Sequence, residues 1–221
     1  MRAALLQVAV SDTRHGCGIV PLSKCIGTDM IDERWLEGWK TLMVERSPSP
    51  AILELGCGSG LDTRWLVSQG FADVTAVDVS FDALAECARA VPSAHLVCHD
   101  LREPLPFSAA QFDVVLASLC LHYFTWDKTQ EIVSEIRRCL SADGMLLCRL
   151  NSTRDVHHGA VGHPEIAPHY YDVEGSPKRF FDEADVERLF DGGWNRLSIR
   201  EATIDRYEKS KTVWEIVLRK R

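Results

Sequence analysis

The fold of this 221-residue chain is set by the stretch Ala51-Ile52-Leu53-Glu54-Leu55-Gly56-Cys57-Gly58-Ser59-Gly60. Its first half is a short apolar run typical of a buried strand, and its second half is a cluster of glycines. Residues 62–69 follow as a helix candidate with Trp65 and Leu66 on one face. A strand that ends in a glycine-rich turn before a helix indicates the first unit of an α/β sheet, with a ligand at the turn.

The alternation of strands and helices continues to residue 150. Four further apolar runs predict strands, at residues 73–79, 94–98, 112–118 and 145–150. Two amphipathic stretches predict helices, at residues 81–90 and 128–140. Such alternation implies a doubly wound parallel sheet with helices on both faces. The end of the chain differs, because residues 197–204 and 212–219 are strand-like with no helix between them and predict an antiparallel hairpin at the sheet edge.

Composition favours a single cytoplasmic domain over residues 1–221. Apolar residues make up 46% of the chain and charged residues 26%, the balance of a soluble globular domain. No apolar run approaches the roughly 18 residues of a membrane span, and the apolar start of the chain breaks at residues 11–14. Eight cysteines lie scattered without a C-x-x-C pair, so we expect reduced core residues and no metal site.

The charge balance disfavours a nucleic-acid partner. The chain has 25 Lys and Arg residues against 32 Asp and Glu residues, for a formal net charge of −7. Proteins that bind duplex nucleic acid usually carry a basic excess, since phosphate neutralisation supplies most of their nonspecific affinity. We expect a small-molecule partner, no nucleic acid, no membrane, and a monomer or homodimer.

The glycine cluster differs from the dinucleotide fingerprint G-x-G-x-x-G. The sixth position counted from Gly56 is Leu61, and counted from Gly58 it is Thr63, so neither is glycine or alanine. Pyrophosphate binding therefore loses support. A nicotinamide dehydrogenase is disfavoured further by Glu54, because a carboxylate repels phosphates and attracts cations.

Acidic residues end the next two strands. Asp78 closes the second strand and is placed to accept both hydroxyls of a ribose. Asp100 and Leu101 follow the third strand and offer an acceptor for an amine beside an apolar contact. The site therefore suits an adenosine that carries a positive charge and no phosphates.

Five segments in this order resemble the class I S-adenosylmethionine-dependent methyltransferases. They are ILELGCGSG (52–60), VTAVDVS (74–80), HDLREPLPF (99–107), FDVVLASLCLHYF (112–124) and LSADGMLLCRL (140–150). The resemblance implies a Rossmann-like seven-stranded sheet with an antiparallel C-terminal strand. It also implies S-adenosylmethionine as cofactor, with residues 51–150 as the cofactor-binding core between an N-terminal lid or helical extension (1–50) and a substrate-side loop with the hairpin (151–221).

The resemblance assigns the cofactor contacts residue by residue. Five positions fall on the methionine and ribose side: Glu54, Gly56, Cys57, Gly58 and Gly60. The ribose goes to Asp78, and the adenine goes to Val79, Asp100 and Leu101. Ser118 and Leu119 border the methionine. A weaker likeness of residues 149–183 and 206–220 is to small bacterial tellurite-resistance and thiopurine-type methyltransferases.

The acceptor is predicted to be a small molecule. Ser118-Leu119-Cys120-Leu121 lacks the N/D/S-P-P-aromatic motif of enzymes that methylate base amines, and Cys120 lacks the neighbouring Pro or Thr of a cytosine nucleophile. A protein or tRNA acceptor, and a module that binds the cofactor without turnover, remain as alternatives.

Candidates for the acceptor side follow from their position in the chain. His122 is a general base or a positioning group, or else a buried histidine at a loop junction. Six further residues are predicted to bind substrate: Trp35, Tyr123, Asn151, Asp155, His158 and Arg179. Trp35 lies on a helix predicted at 32–45, which either covers the sulfonium or packs on the sheet. The histidines at 157–169 are interpreted as part of a solvated lid loop.

Overall fold

The computed structural model describes residues 34–45, 47–205 and 207–221. Its strands are β1 (Ile52–Leu55), β2 (Val74–Asp78), β3 (His95–Cys98), β4 (Phe112–Ser118), β5 (Leu140–Asn151), β6 (Glu165–Ala167), β7 (Tyr170–Val173), β8 (Ser176–Arg179), β9 (Trp194–Ile204) and β10 (Lys211–Lys220). Its helices are α1 (Arg34–Glu37), α2 (Lys40–Val44), α3 (Leu61–Ser68), α4 (Phe81–Ala90), α5 (Trp126–Cys139) and α6 (Glu183–Leu189), with a 3-10 turn at Leu121–Tyr123.

The main sheet has seven strands in the order β3-β2-β1-β4-β5-β10-β9. Strands β1 to β5 run parallel to one another, and β10 is antiparallel to both β5 and β9. This confirms the Rossmann-like sheet with its antiparallel C-terminal strand. The predicted hairpin forms, with β10 inside the sheet and β9 at the edge. Because the order reverses between β1 and β4, the carboxyl ends of these two strands border the crevice in which ligands of such sheets bind.

Apolar side chains cover both faces of the sheet. The larger buried cluster joins β4, β5 and β10 to helices α5 and α6, and it includes Phe112, Ile136 and Phe190. A second cluster on the opposite face joins the N-terminal helices to α3 and includes Leu36 and Leu66. Because both faces of the sheet are covered, its central strands are near-continuous apolar runs, as β4 is.

The N-terminal helix differs from its prediction. The sequence pattern predicts one helix over 32–45, whereas the chain forms α1 and α2 with a turn at Gly38 and Trp39. Glycine lowers helix stability by about 1 kcal/mol relative to alanine, which favours a break at this point. Residues 32 and 33 of the prediction lie outside the described residues.

A small three-stranded sheet, β6-β7-β8, occupies residues that the sequence pattern indicates as a loop. The turn between β7 and β8 places Glu174 at φ 55° and Gly175 at φ 81°, as a tight two-residue hairpin requires. Hydrogen bonds tie the segment after β8 to the main sheet, since Phe181 N–H donates to Asn151 O at 2.8 Å and Thr153 N–H donates to Phe181 O at 3.1 Å. The small sheet therefore lies at the carboxyl end of β5.

None of the helices within the described part of the chain has both the length and the apolar character needed to cross a bilayer.

Candidate functional site

The glycine turn after β1 brings bare backbone to the crevice. Gly56 has φ 67°, and a Cβ there would lie 2.4 Å from the Cβ of Cys120, so this glycine lets the turn pack against the end of β4. Gly58 has φ 54°, and a Cβ there would meet no described atom within 4 Å. Gly60 ends the turn as the N-cap of α3. The turn is thus anchored at Gly56 and presents open backbone at Gly58, where a ligand can approach closely.

Asp78 fastens this turn to the end of β2. Its Oδ2 accepts the Gly58 N–H at 2.8 Å, and its Oδ1 accepts the Ser80 N–H at 2.9 Å. A carboxylate oxygen has about two acceptor sites, so each oxygen keeps one for a hydroxyl group. The next residue, Val79, is 62% exposed despite its apolar side chain. A pair of adjacent acceptors beside an exposed apolar surface suits a ribose and the ring attached to it.

The loop after β3 continues this edge of the crevice. The Asp100 carboxylate is held by Arg102, whose Nε and Nη2 donate to it at 2.9 and 2.5 Å. These hydrogen bonds lower the pKa of Asp100, so it is charged at neutral pH. Leu101 beside it is 9% exposed and packs with the main core. The loop therefore offers a fixed acceptor for an amine.

Two carboxylates give this end of the sheet a negative potential. Glu54 is 3% exposed, and its Oε2 accepts the Thr63 hydroxyl at 2.6 Å. Burial raises the pKa of the Cys120 thiol well above its usual range, and Cys148, Asp78 and Glu54 raise it further. The pKa of the Cys57 thiol is also raised, and the largest cause is its hydrogen bond with the Cys87 thiol. Both thiols stay neutral, and the two carboxylates attract a cationic ligand.

Ser118 and Leu119 close the crevice at the end of β4. Arg149 Nε donates to Ser118 Oγ at 2.9 Å, and Leu119 N–H donates to Arg149 O at 3.0 Å. Leu119 has φ 55°, a conformation that non-glycine residues seldom adopt and that recurs at ligand sites. Trp35 is 6% exposed, and its ring centroid lies 4.5 Å from Arg149 Cζ. The N-terminal helix thus packs on the arginine that supports Ser118, and its contact with a sulfonium remains a prediction.

His122 lies in the 3-10 turn that follows β4. It is 5% exposed, its ring centroid is 4.1 Å from that of Tyr123, and its Nδ1 has no hydrogen-bond partner among the described residues. Burial lowers the pKa of His122 well below its usual range, and the charges of Lys211 and Lys178 lower it further. The imidazole is therefore neutral at pH 7 and is a weak base. This electrostatic environment favours positioning over general-base catalysis.

Tyr123 ends the 3-10 turn that follows β4. It keeps 44% of its surface exposed, and its carbonyl oxygen accepts the Tyr170 hydroxyl at 3.3 Å. Partial burial raises the pKa of the Tyr123 hydroxyl, with smaller contributions from Tyr207, Cys120 and Asp78. Tyr123 thus contacts both the His122 ring and the small sheet, through Tyr170 of β7.

Asp155 and Lys211 form a buried ion pair at the carboxyl end of β5. Lys211, the first residue of β10, is 8% exposed, and its Nζ lies 3.3 Å from Asp155 Oδ2. The other oxygen, Oδ1, accepts the N–H groups of His157 and His158 at 3.1 and 3.0 Å. Asp155 therefore fixes the loop after β5, and His158 itself is exposed with its ring centroid 5.3 Å from that of Tyr207. Sequence reasoning missed Lys211. Its one signal is its place at the start of β10, which runs antiparallel to β5 and so begins at the edge where β5 ends.

Asn151 and Arg179 lie together beneath this pair. Asn151 is 1% exposed; its Nδ2 donates to Arg179 O at 3.4 Å, and within the described structure its Oδ1 has no hydrogen-bond partner. The Arg179 guanidinium lies over the rings of Tyr170 and Trp126, with Cζ 5.0 and 5.5 Å from their centroids, and Nη1 donates to Pro168 O. The guanidinium thus packs towards α5. Its role in binding substrate remains a prediction.

Outside the crevice, His169, Asp182 and Asp185 bring potential ligand atoms within 4.8 Å of one another. The Asp182 side chain accepts the Asp185 N–H at 2.8 Å, and Asp185 contacts both His169 Nδ1 at 2.6 Å and Arg188 at 2.9 Å. The Asp182 and Asp185 side chains form the N-terminal capping box of α6. The absence of a metal remains a prediction.

Comparison with known proteins identifies the domain. Residues 52–144 match the methyltransferase domain family. The chain is 38% identical over 99 residues to an uncharacterized methyltransferase of Synechocystis, a match that covers 45% of this chain and 46% of that protein. It is 37% identical over 95 residues to a malonyl-[acyl-carrier protein] O-methyltransferase of Enterobacter lignolyticus, covering 43% and 36% of the two chains.

The fold agrees with a solved structure of the same type. An S-adenosylmethionine-dependent methyltransferase of Methanosarcina mazei superposes with a TM-score of 0.65 at 20% identity, over 78% of this chain and 92% of that one. Residues 52–144 thus form a methyltransferase domain, and the chain has the fold of S-adenosylmethionine-dependent methyltransferases. The matched stretch spans less than half the length of the two curated relatives.

The residues of the methyltransferase domain fit its cofactor, S-adenosylmethionine. The open backbone at Gly58 leaves room for the nucleoside, and the two remaining acceptor sites of Asp78 match the two ribose hydroxyls. The potential from Glu54 and Asp78 suits a sulfonium cation and disfavours phosphates. Each feature lies on the side of the crevice formed by β1 and β2.

Proposed function

We propose that the chain transfers a methyl group from S-adenosylmethionine to a small-molecule acceptor by in-line displacement. The observation that supports this most directly is the pairing of the open backbone at Gly58 with the two free acceptor sites of Asp78. The bound cofactor supplies an electrophilic methyl group on a positively charged sulfur. In the reaction an acceptor lone pair bonds to the methyl carbon, and the electrons of the breaking carbon–sulfur bond pass to the sulfur.

The protein contributes orientation and exclusion of water. Ser118 and Leu119 border the methyl end of the cofactor, and the 3-10 turn with His122 holds the acceptor opposite to it. The small sheet covers the acceptor side, because β8 packs on this turn. Holding two reactants in line contributes several kcal/mol to catalysis without any covalent intermediate on the protein.

The predicted acceptor is a small molecule. The net charge of −7 and the missing base-amine motif disfavour a nucleic acid. The curated relative from Enterobacter lignolyticus is named for an acyl group attached to a carrier protein, so a carrier-bound acyl group is a further competing proposal, whose label would appear in the protein fraction. A protein side chain or a tRNA as acceptor, and a module that binds cofactor without turnover, are the competing proposals. We further propose a cytoplasmic monomer or homodimer.

Transfer of a labelled methyl group tests this proposal. Purified protein is incubated with S-adenosylmethionine labelled in its methyl group and with cell extract that has been separated into small-molecule, protein and RNA fractions. Protein-dependent label in the small-molecule fraction supports the proposal. Label confined to protein or RNA contradicts the acceptor class, and no label in any fraction supports the non-catalytic module. A variant with Asp78→Asn, which weakens the ribose contact, serves as the control for dependence on this site.

A further inference from the structure

Three charged residues come from elements around the 3-10 turn that carries His122: Lys211 and Asp155, which form an ion pair, and Lys178 of β8, which packs on that turn. We call them the acceptor-side charge cluster. They come from three separate elements, since Lys178 lies in β8, Lys211 begins β10, and Asp155 belongs to the loop after β5. Lys211 and Asp155 are 8% and 3% exposed. The fold has therefore brought charges from distant parts of the chain into a largely buried place, which costs desolvation energy unless they are balanced.

The cluster carries one net positive charge. Asp155 divides its carboxylate between Lys211 Nζ, 3.3 Å from Oδ2, and two backbone N–H groups on Oδ1. Lys178 is half-buried and adds a second cation, whose charge acts on Lys211 and on His122. Alternate residues of a strand point to opposite faces, so Lys178 points away from Trp126, on which Arg179 stacks. One monovalent anion would neutralise the cluster.

Hydrogen-bonding capacity at the cluster also points to a ligand. An ammonium group has three donor hydrogens. Lys211 faces Asp155 Oδ2 as an ion pair at 3.3 Å, and this oxygen has no hydrogen-bond partner within the described residues. Beside the cluster, the buried Nδ1 of His122 and Oδ1 of Asn151 lack hydrogen-bond partners in the described part of the chain. Buried polar atoms are nearly always paired in folded proteins. Partnerless atoms at a ligand crevice are therefore expected to meet the ligand.

We propose that the acceptor is a small molecule that bears a carboxylate, which Lys211 and Lys178 bind while His122 contacts the same acceptor. This inference rests on the proposed function and names the substrate class for it. A carboxylate matches the single net charge, whereas a phosphate dianion exceeds it and is usually met by arginines or helix N-termini. The sequence suggests Arg179 as the residue that binds an anionic substrate. In the structure, its guanidinium stacks on aromatic rings instead.

The test compares acceptor fractions and lysine variants. A small-molecule extract is separated at neutral pH by anion exchange into an anionic fraction and a neutral-plus-cationic fraction, and each is offered to the protein with methyl-labelled S-adenosylmethionine. Half of the anionic fraction is first treated with phosphatase. We expect label in the anionic fraction and no loss after phosphatase. Label in the other fraction alone, or loss of label after phosphatase, overturns the proposal.

The variants Lys178→Met and Lys211→Met give the second measurement. Each is expected to lower the initial rate at limiting acceptor by roughly 10-fold to 100-fold, since a hydrogen bond to a charged group is lost, and Lys178→Arg is expected to restore most of it. Lys220→Met is the matched control, because Lys220 ends the same strand as Lys211 and donates to Leu140 O at 2.6 Å. Unchanged rates in both lysine variants overturn the proposal. Lys178 is half-buried, so its variant remains informative if Lys211→Met does not fold.

Affinity for S-adenosylhomocysteine separates this inference from the proposed function. Both lysine variants are expected to bind S-adenosylhomocysteine as the unchanged protein does, because the cluster lies on the acceptor side. If the unchanged protein binds it and only neutral acceptors are labelled, the carboxylate inference fails and methyl transfer stands. If the unchanged protein does not bind it, the proposed function fails as well.

Discussion

Replacement of Asp78 by asparagine should weaken cofactor binding about 100-fold. The carboxylate accepts Gly58 N–H and Ser80 N–H at 2.8 and 2.9 Å and keeps one acceptor site on each oxygen for the ribose. Asparagine retains one acceptor oxygen. Its NH₂ group takes the place of the other oxygen and cannot accept a hydrogen bond from the backbone N–H or the ribose hydroxyl that this oxygen met. Hydrogen bonds to charged groups contribute about 1.5–3 kcal/mol each. A net loss of about 3 kcal/mol corresponds to roughly 100-fold in Kd.

Calorimetric titration with S-adenosylhomocysteine measures this loss. Asp82→Asn is the matched control, because Asp82 is exposed in the first turn of the helix that follows Asp78. Its replacement should leave Kd within about 2-fold, since the helix-dipole contribution of an exposed carboxylate is below about 1 kcal/mol. An unchanged Kd in Asp78→Asn, with the circular dichroism spectrum of the folded protein, would refute the ribose assignment.

Three further predictions concern the turn, the histidine and acid stability. Gly56→Ala should lower the free energy of unfolding, measured in urea, by about 3 kcal/mol, because its Cβ would lie 2.4 Å from Cys120 Cβ. Gly58→Ala should lower the free energy of unfolding by only about 1 kcal/mol, but it should weaken cofactor binding. His122→Gln should lower kcat at saturating cofactor by about 10-fold. The unchanged protein should show no rate inflection from His122 between about pH 6 and 8, since burial keeps its pKa well below its usual range; an inflection that His122→Gln removes would contradict this. Hydrogen bonds from Arg138 lower the pKa of Glu135 below its ordinary 4.5, so its contribution to stability is complete above pH 4.5 and is lost as pH falls towards the lower folded-state value. Glu135→Gln should therefore flatten the fall in unfolding free energy below that pH.

The arrangement of the residues predicted to bind the cofactor follows largely from the sequence, because their contacts are local. Glu54, Gly56 and Gly58 lie within one turn, and Asp78 ends the very next strand, so strand periodicity alone places them at one edge. The structure adds the reason for each glycine, which sequence does not give. Gly56 makes room for Cys120, 64 positions further along the chain, whereas Gly58 faces open space.

The small sheet and Lys211 escape prediction because long-range packing builds this part of the structure. Lys178 and Arg179 are adjacent in β8, and a shift of one residue in register exchanges their faces. Nothing local indicates which of them points to the crevice. Strands β6 to β8 have only three or four residues each, and β8 contains Pro177, so they lack the alternation that predicts strands. Lys211 resembles a surface lysine until its pairing with Asp155 is seen.

The most direct test of the account is a calorimetric titration of the unchanged protein with S-adenosylmethionine, S-adenosylhomocysteine and NAD. The crevice has acceptors for a ribose and a potential that favours a cation over a pyrophosphate. We predict saturable one-to-one binding of the first two ligands and no binding of NAD. Binding of NAD in their place, or no binding of either S-adenosyl compound, would contradict the account.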